Sequence, residues 1–365
     1  MTVPLHRLVL YFLELGAIGF GGPIALCGFM QRDLVEREGW LTREDYLDGL
    51  ALAQLAPGPL AAQLAIYIGW RRAGVWGATA VGVAFVLPSL VMVIVLAHLY
   101  VRYAAVSTMI AGLFYGIGAA VIAVIVRSAY KLVRLTLASD AALWIVFTAN
   151  AIVTAITEQE VVTVILVSGV LVVLARWRGS VPPAMLLALP ASTDLLLQIG
   201  WFFTKAGAFV FGSGLAIVPF LYGGVVERFH WLSDRQFLDA VAVAMITPGP
   251  VVITVAFIGY LVGGLGGALV AAFAVFLPCW FAVVAIAPFY QRLAANERIR
   301  AFVDGVSAAA TGAIAGAAFV LGRRALIDPV TIAICIVVFV VLMRFRKVPE
   351  PAVILAAGSV GMLLK

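Results

Sequence analysis

Two tripeptides, Pro57-Gly58-Pro59 and Pro248-Gly249-Pro250, interrupt otherwise continuous apolar runs. Proline inside a helix removes a backbone donor and clashes with the preceding turn, so each run must break there. In hydrocarbon the freed backbone groups are tolerated only where they face protein or a wet cavity. A second kind of break, Gly19-Phe20-Gly21-Gly22-Pro23, has its counterpart at Val210-Phe211-Gly212-Ser213-Gly214. Pro23, Pro59 and Pro250 suit the first turn of a half-helix, which leaves the amides of Ile24 to Leu26, Leu60 to Ala62 and Val251 to Ile253 unpaired. Free N–H groups at the positive end of a helix dipole bind anions. The chemistry predicted is therefore the binding of a small anion near the bilayer midplane. Its substrate-binding candidates are Gly21, Gly22, Pro23, Pro57, Gly58, Pro59, Gly212, Ser213, Pro248, Gly249 and Pro250.

Polar side chains near these breaks extend the set. Gln63 follows Pro59 on the same half-helix and is a neutral donor candidate, a choice that suits an anion that must also leave. Gln54, Thr247 and Thr254 also flank the breaks, although interhelical hydrogen bonding accounts for such residues equally well. Glu14 and Lys205 are ionisable and lie within apolar runs, which makes them functional candidates. Lys205 would attract the anion, and Glu14 would bind a proton or act as a gate. Snorkelling of each to the nearer interface is the structural alternative.

These residues need long apolar elements to place them. The chain has 365 residues, of which 64% are hydrophobic and 12% charged, with a mean hydropathy of +1.13. Soluble domains are roughly half apolar and about a quarter charged, so an all-α polytopic membrane protein is expected. Continuous runs of about 20 residues exclude a transmembrane barrel. Six runs lie near 8–30, 47–70, 75–100, 105–126, 138–157 and 161–175, and six more near 200–226, 237–260, 267–290, 301–322, 326–343 and 350–364. The second series repeats the first. A shift of 191 carries Phe12, Gly16, Phe20 and Gly21 onto Phe203, Gly207, Phe211 and Gly212, and carries Glu36, Arg37, Trp40 and Asp48 onto Glu227, Arg228, Trp231 and Asp239. About 19 of 48 positions match without a gap, too many for shared apolar composition. After a one-residue slip Leu87-Pro88 meets Leu277-Pro278, and further on Arg134 meets Arg323. The expected organisation is a first repeat at 1–176, a connecting segment at 177–199 and a second repeat at 200–365.

Whether the connecting segment crosses decides if the repeats are inverted. With a cytoplasmic N-terminus and 13 spans, Arg32, Arg37, Arg43, Arg102, Arg323, Arg324 and Lys365 fall outside, and 16 basic residues fall inside. That bias follows the positive-inside rule and favours inverted repeats with broken helices. The formal charge of +6 is thereby explained by inter-helix loops, and no nucleic-acid partner is expected. Asp48 and Asp239 are expected to cap the helices they begin. Arg71, Arg72, Arg127, Lys131 and Arg134 read as topology determinants that would also concentrate anions at the inner mouth.

Enzyme and pump signatures are missing: there is no P-loop, no dinucleotide fingerprint and no HExxH. Cys27, Cys279 and Cys335 are isolated in apolar runs, so neither a disulfide framework nor a metal site is expected. No cofactor and no catalytic residue are predicted. The order F-G-G-P, a charged loop ending at Trp40, L-A-P-G-P-x-x-x-Q and a downstream L-P, all duplicated, resembles the chromate ion transporter family. What the resemblance implies is a secondary carrier of chromate or a similar tetrahedral oxyanion in the plasma (inner) membrane, acting in efflux and resistance, with sulfate as the related substrate. Sulfate uptake and an anion channel without alternating access stand as alternatives. The lipid bilayer is the other partner expected, and a homodimer is left open.

Overall fold

A computed structural model describes residues 3–20, 22–103, 108–137, 140–158, 162–176, 194–208, 210–212, 214, 217–289, 296–345 and 348–364. Helix α1 (Leu5–Ile18) and helix α2 (Gly22–Met30), which runs on as a π-helical stretch Gln31–Arg37, flank the first break. They run antiparallel, with the Tyr11 hydroxyl donating to Asp33 at 3.4 Å. Helix α3 (Arg43–Leu55) and the first arm of α4 (Leu60–Tyr103) flank Pro57-Gly58-Pro59. They too are antiparallel. Asp45 at the base of α3 pairs with Arg71 near the end of the arm, Gly49 lies against the Tyr67 ring, and the Gln63 amide donates to the Ala56 carbonyl at 2.8 Å. The Arg72 guanidinium donates to the Val3 carbonyl, which brings the base of α1 to the same end.

A helix of 13 or 14 residues, as α3 and α1 are, rises only about 20 Å, against a hydrocarbon core of about 30 Å. The runs at 8–30 and 47–70 are therefore hairpins that enter and return, not the spans expected. The second half is built alike. Helix α8 (Leu195–Ala208) is followed by α9 (Ile217–Tyr222), which continues as Gly223–Arg228, and α10 (Asp234–Ile246) is followed by α11 (Thr254–Ile286). Both α4 and α11 fold back on themselves, at Ala73-Gly74 and at Gly263-Gly264, where the glycines take φ of 58° and 61°. Gly69 then packs on Gly77, and Gly259 on Gly267. The expectation of 13 spans does not hold. Among the described residues four stretches are long and apolar enough to cross, Leu60–Tyr103, Gly112–Thr136, Val251–Phe289 and Glu297–Ala325, beside four shorter apolar helices.

The remaining helices are α5 (Thr108–Thr136), α6 (Ala141–Thr157), α7 (Val162–Arg176), α12 (Glu297–Ala325), α13 (Pro329–Arg344) and α14 (Glu350–Leu364). The last pair of each half packs on the other half. Gly312 of α12 lies against Phe147 and Ala151 of α6, and Gly305 against Gly169 of α7. Reciprocally, Gly116 of α5 lies against Ala357 of α14, and Tyr115 donates to Asp328 at 2.7 Å. Small residues let these backbones approach closely, the usual basis of helix association in lipid. Both α5 and α12 are consequently the most buried of the long helices.

We name the end holding Val3, Asp45 and Arg72 proximal, and the opposite end distal. The long arm of α4 starts proximally, where Thr79 accepts from the Trp280 indole, and ends distally, where Tyr100 donates to Asp239 at 2.7 Å and His98 shares a hydrogen bond with Tyr260. The hairpins of the first half thus open proximally and those of the second half distally. Two expectations change as a result. Arg32, Arg37 and Arg43 share the end of Arg71 and Arg72 instead of facing away from it, and Arg228 and Arg235 lie at the other end. Nor do Asp48 and Asp239 cap helices: Thr42 caps α3 and Ser233 caps α10, each accepting from the N3 amide. Asp239 is buried within α10 and accepts the Tyr100 hydroxyl instead. Cys27, Cys279 and Cys335 are free thiols, the first two buried. The connecting segment, apart from residues 194–199, lies outside the described residues.

Candidate functional site

The hairpin tips of the two halves meet and bond to each other. The Gly58 N–H donates to the Val210 carbonyl at 2.5 Å, and at the duplicated position the Gly249 N–H donates to the Gly19 carbonyl at 3.0 Å. Gly58-Pro59 and Phe211-Gly212 lie side by side as a short parallel strand pair. Each Pro-Gly-Pro also abuts the residue that follows the helix proline of the opposite half, Cys279 after Pro278 for Gly58 and Ser89 after Pro88 for Gly249. Gly58 and Gly249 adopt φ of 138° and 94°, conformations that glycine takes without penalty. The N–H groups of Gly58 and Gly249 are therefore spent on joining the halves, and of the amides expected to be free that of Ile253 donates to the Pro250 carbonyl at 3.0 Å.

A cavity of about 410 Å³ leads to these tips from the proximal end. Its floor is formed by Gly19, Gly22, Pro23, Leu60, Thr247, Gly249 and Val251. Three helix starts, those of α2, α4 and the turn leading into α11, thus point their first residues into one space, and their dipoles favour negative charge there. Its walls carry Gln54, Ser128, Lys131, Ser307, Thr311 and Glu350. Glu350 is paired with Arg127 at 2.6 Å. Beyond the floor, Gly22, Pro23, Pro59, Gly214, Gly249 and Pro250 surround a void of only about 10 Å³, room for about one water molecule. The passage is open proximally and closed at its centre.

The distal end is closed by charge. Arg324 of α12 pairs with Glu158 at the α6–α7 turn, with Glu227 at 3.0 Å and with Asp234 at 2.7 Å. Tyr222 stacks beneath its guanidinium at 5.2 Å and donates to Asp234 at 2.5 Å. Burial pushes the Asp234 carboxyl up, but the Tyr222 and Arg324 hydrogen bonds outweigh it and hold the group below the usual carboxylate range.

Of the predicted site residues, Gly22, Pro23 and Gly249 line the large cavity, and Pro59 and Pro250 line the small void. Pro57, Gly58 and Pro248 belong to the tips without lining the large cavity, and Gly212 pairs with Pro59 there. Gln63 is fully buried and uses its amide on Ala56, while its carbonyl oxygen has no hydrogen-bond partner among the described residues. Glu14 is exposed on α1, and Lys205 sits over the Trp201 ring at 5.4 Å; neither lines either cavity. Gly21 and Ser213 lie outside the described residues. Sequence reasoning left Ser307, Thr311 and Glu350 out of the site. Lys131 and Arg127 were read as topology determinants that concentrate anions at the inner mouth, not as part of the site.

The Arg127–Glu350 pair yields a prediction. Arg127→Gln frees a carboxylate in the cavity wall, which should raise the apparent constant for an anionic substrate several-fold; adding Glu350→Gln should restore it. Initial-rate flux in vesicles checks both variants.

The order of these elements along the chain has a known counterpart. A chromate transporter family model matches residues 6–174 and again residues 197–362. This chain belongs to the chromate transporter family. Members similar to it include the chromate transport protein of Cupriavidus metallidurans, 53% identical over 99% of this chain and 94% of the relative. The probable chromate transport protein of Synechococcus elongatus is 51% identical over 98% of this chain and 95% of its own length. The chromate transport protein of Pseudomonas aeruginosa is 31% identical over 97% and 91%. No solved structure matches this chromate transporter family chain.

Proposed function

We propose that this protein is a secondary carrier that exports chromate, or a tetrahedral dianion like it, through two inverted halves whose hairpin tips form the crossing point. The convergence of three helix starts on the floor of one cavity carries this reading, because it supplies positive dipole ends where a dianion would halt. The names of the relatives supply the substrate. Inversion is supported by the hairpins opening at opposite ends. Charge supports a cytoplasmic proximal end: among the described residues only Arg102, Lys205, Arg228, Arg235, Arg323 and Arg324 lie in the distal half, and every other Lys and Arg lies in the proximal half. A passage open at one end and sealed at the other is the geometry of alternating access. A dianion leaving a cell that is negative inside is driven by about 2.3 kcal/mol per charge per 100 mV, so export needs no coupling ion.

Radiolabelled chromate flux in vesicles of known orientation tests the proposal, with unlabelled sulfate as competitor. Protein-dependent flux from the proximal side, saturable in chromate, is expected. Flux indistinguishable from protein-free vesicles would overturn the reading, and flux saturable only in sulfate would change the substrate.

A further inference from the structure

We infer that Lys131, with Ser128, Ser307 and Gln54, forms a dianion loading site in the proximal cavity, and that the duplication withholds this site from the distal route, so that cargo binds more tightly from the proximal side. This rests on the carrier reading above and adds its binding residues and its directional bias.

Lys131 lines the cavity, and among the described residues it has no hydrogen bond or ion pair. Glu350, the other charged residue that lines the cavity, is paired with Arg127. The Lys131 ammonium faces a space of about 410 Å³, and the nearby Glu350 carboxylate is already engaged by Arg127. Ser128 precedes it by one turn on the same face of α5, and Ser307 faces it from α12 of the other half. Gln54 completes the wall near the floor. A point charge with neutral donors fits a compact oxyanion: the ammonium supplies attraction, and the hydroxyls and amide satisfy further oxygens without trapping the ion.

The register of the duplication exposes the asymmetry. Gly116, Ala119, Ala120, Ile125, Leu132 and Arg134 of α5 correspond to Gly305, Ala308, Ala309, Ile314, Leu321 and Arg323 of α12. The fold agrees, since Gly116 and Gly305 each contact a helix of the opposite half. In that register Val320 replaces Lys131, Ala317 replaces Ser128, and Gly118 stands opposite Ser307. The earlier register places Met245 opposite Gln54. All four donors are apolar or absent in the other half. Ala317 and Val320 are buried in the closed distal end. When that end opens, the positions equivalent to Lys131 and Ser128 present apolar side chains beneath the Arg324 cluster, whose three carboxylates repel an anion, and so the cargo is released.

The test uses the purified full-length protein and radiolabelled chromate in equilibrium binding, followed by flux in oriented proteoliposomes. Lys131→Met should weaken binding at least tenfold, about 1.4 kcal/mol, with an unchanged melting temperature, and Lys131→Arg should retain most of the affinity. In proteoliposomes the apparent constant should be lower from the proximal side, and Lys131→Met should bring the two sides together. Wild-type binding with equal affinity in Lys131→Met would overturn this inference and leave the carrier reading standing. Absence of chromate binding by the wild type would instead overturn the carrier reading, and this inference with it.

Discussion

Gly249→Ala should reduce chromate flux by tenfold or more, and Gly58→Ala should do the same. A methyl group at Gly249 would lie 2.7 Å from the Ser89 hydroxyl oxygen, and one at Gly58 would lie 2.8 Å from Cys279 Cβ. The backbone angles add strain, because an L-residue at φ of 94° or 138° leaves its allowed regions; such strain costs about 1–3 kcal/mol. Both effects fall on the residues whose N–H groups join the two halves, so the tips must shift apart or lose a bond. The loss should therefore appear in transport before it appears in membrane insertion. Gly28→Ala is the control: a methyl group added there in α2 would meet nothing within 4 Å, and full activity is expected. Flux normalised to protein in the membrane checks all three. Ser89→Gly in the Gly249→Ala background should recover part of the loss by removing the overlap while leaving the backbone strain.

Arg324→Gln should have the second large effect, on the distal seal. It leaves Glu158, Glu227 and Asp234 gathered without their cation. Single exposed ion pairs contribute only about 0.2–1 kcal/mol, and Arg324 is 30% exposed. One guanidinium shared by three carboxylates from both halves is another matter, because its loss turns attraction into repulsion. A cysteine placed at Val320, which is buried beneath the seal, should react with an impermeant maleimide from the distal side about tenfold faster in Arg324→Gln. The pH dependence has a definite sign. Asp234 is held below its ordinary range, so its contribution is fully present above the unfolded value of about 3.9 and is lost only as pH falls through the lowered one. Labelling in the parent protein should be flat through neutral pH and should rise only in strong acid.

The breaks and the duplication were legible in the sequence because proline and glycine act locally and because the two halves keep the same spacing. Chain direction after each break was not. Hydropathy reads Leu47 to Trp70 as one crossing, and only the pairing of Asp45 with Arg71 and of Gln63 with Ala56 reveals that the chain turns back. The same turn moved Arg32, Arg37 and Arg43 to the end of Arg71. The joining of the tips was not legible either, because Val210 and Gly19, which accept from Gly58 and Gly249, each lie in the opposite half. Lys131 was read as a topology determinant because its exposure to a cavity depends on α12 and α14, which follow it by more than 150 residues. Glu14 and Lys205 stood out for being ionisable in apolar runs, yet their faces of α1 and α8 turn away from both cavities.

Counterflow tests the central claim most directly. In proteoliposomes preloaded with unlabelled chromate, external labelled chromate should accumulate transiently above its equilibrium level, because a carrier with one passage open at a time returns loaded faster than empty. Labelled chromate that rises only to equilibrium, at a rate indifferent to the preload, would contradict alternating access and leave an open pore through the hairpin tips.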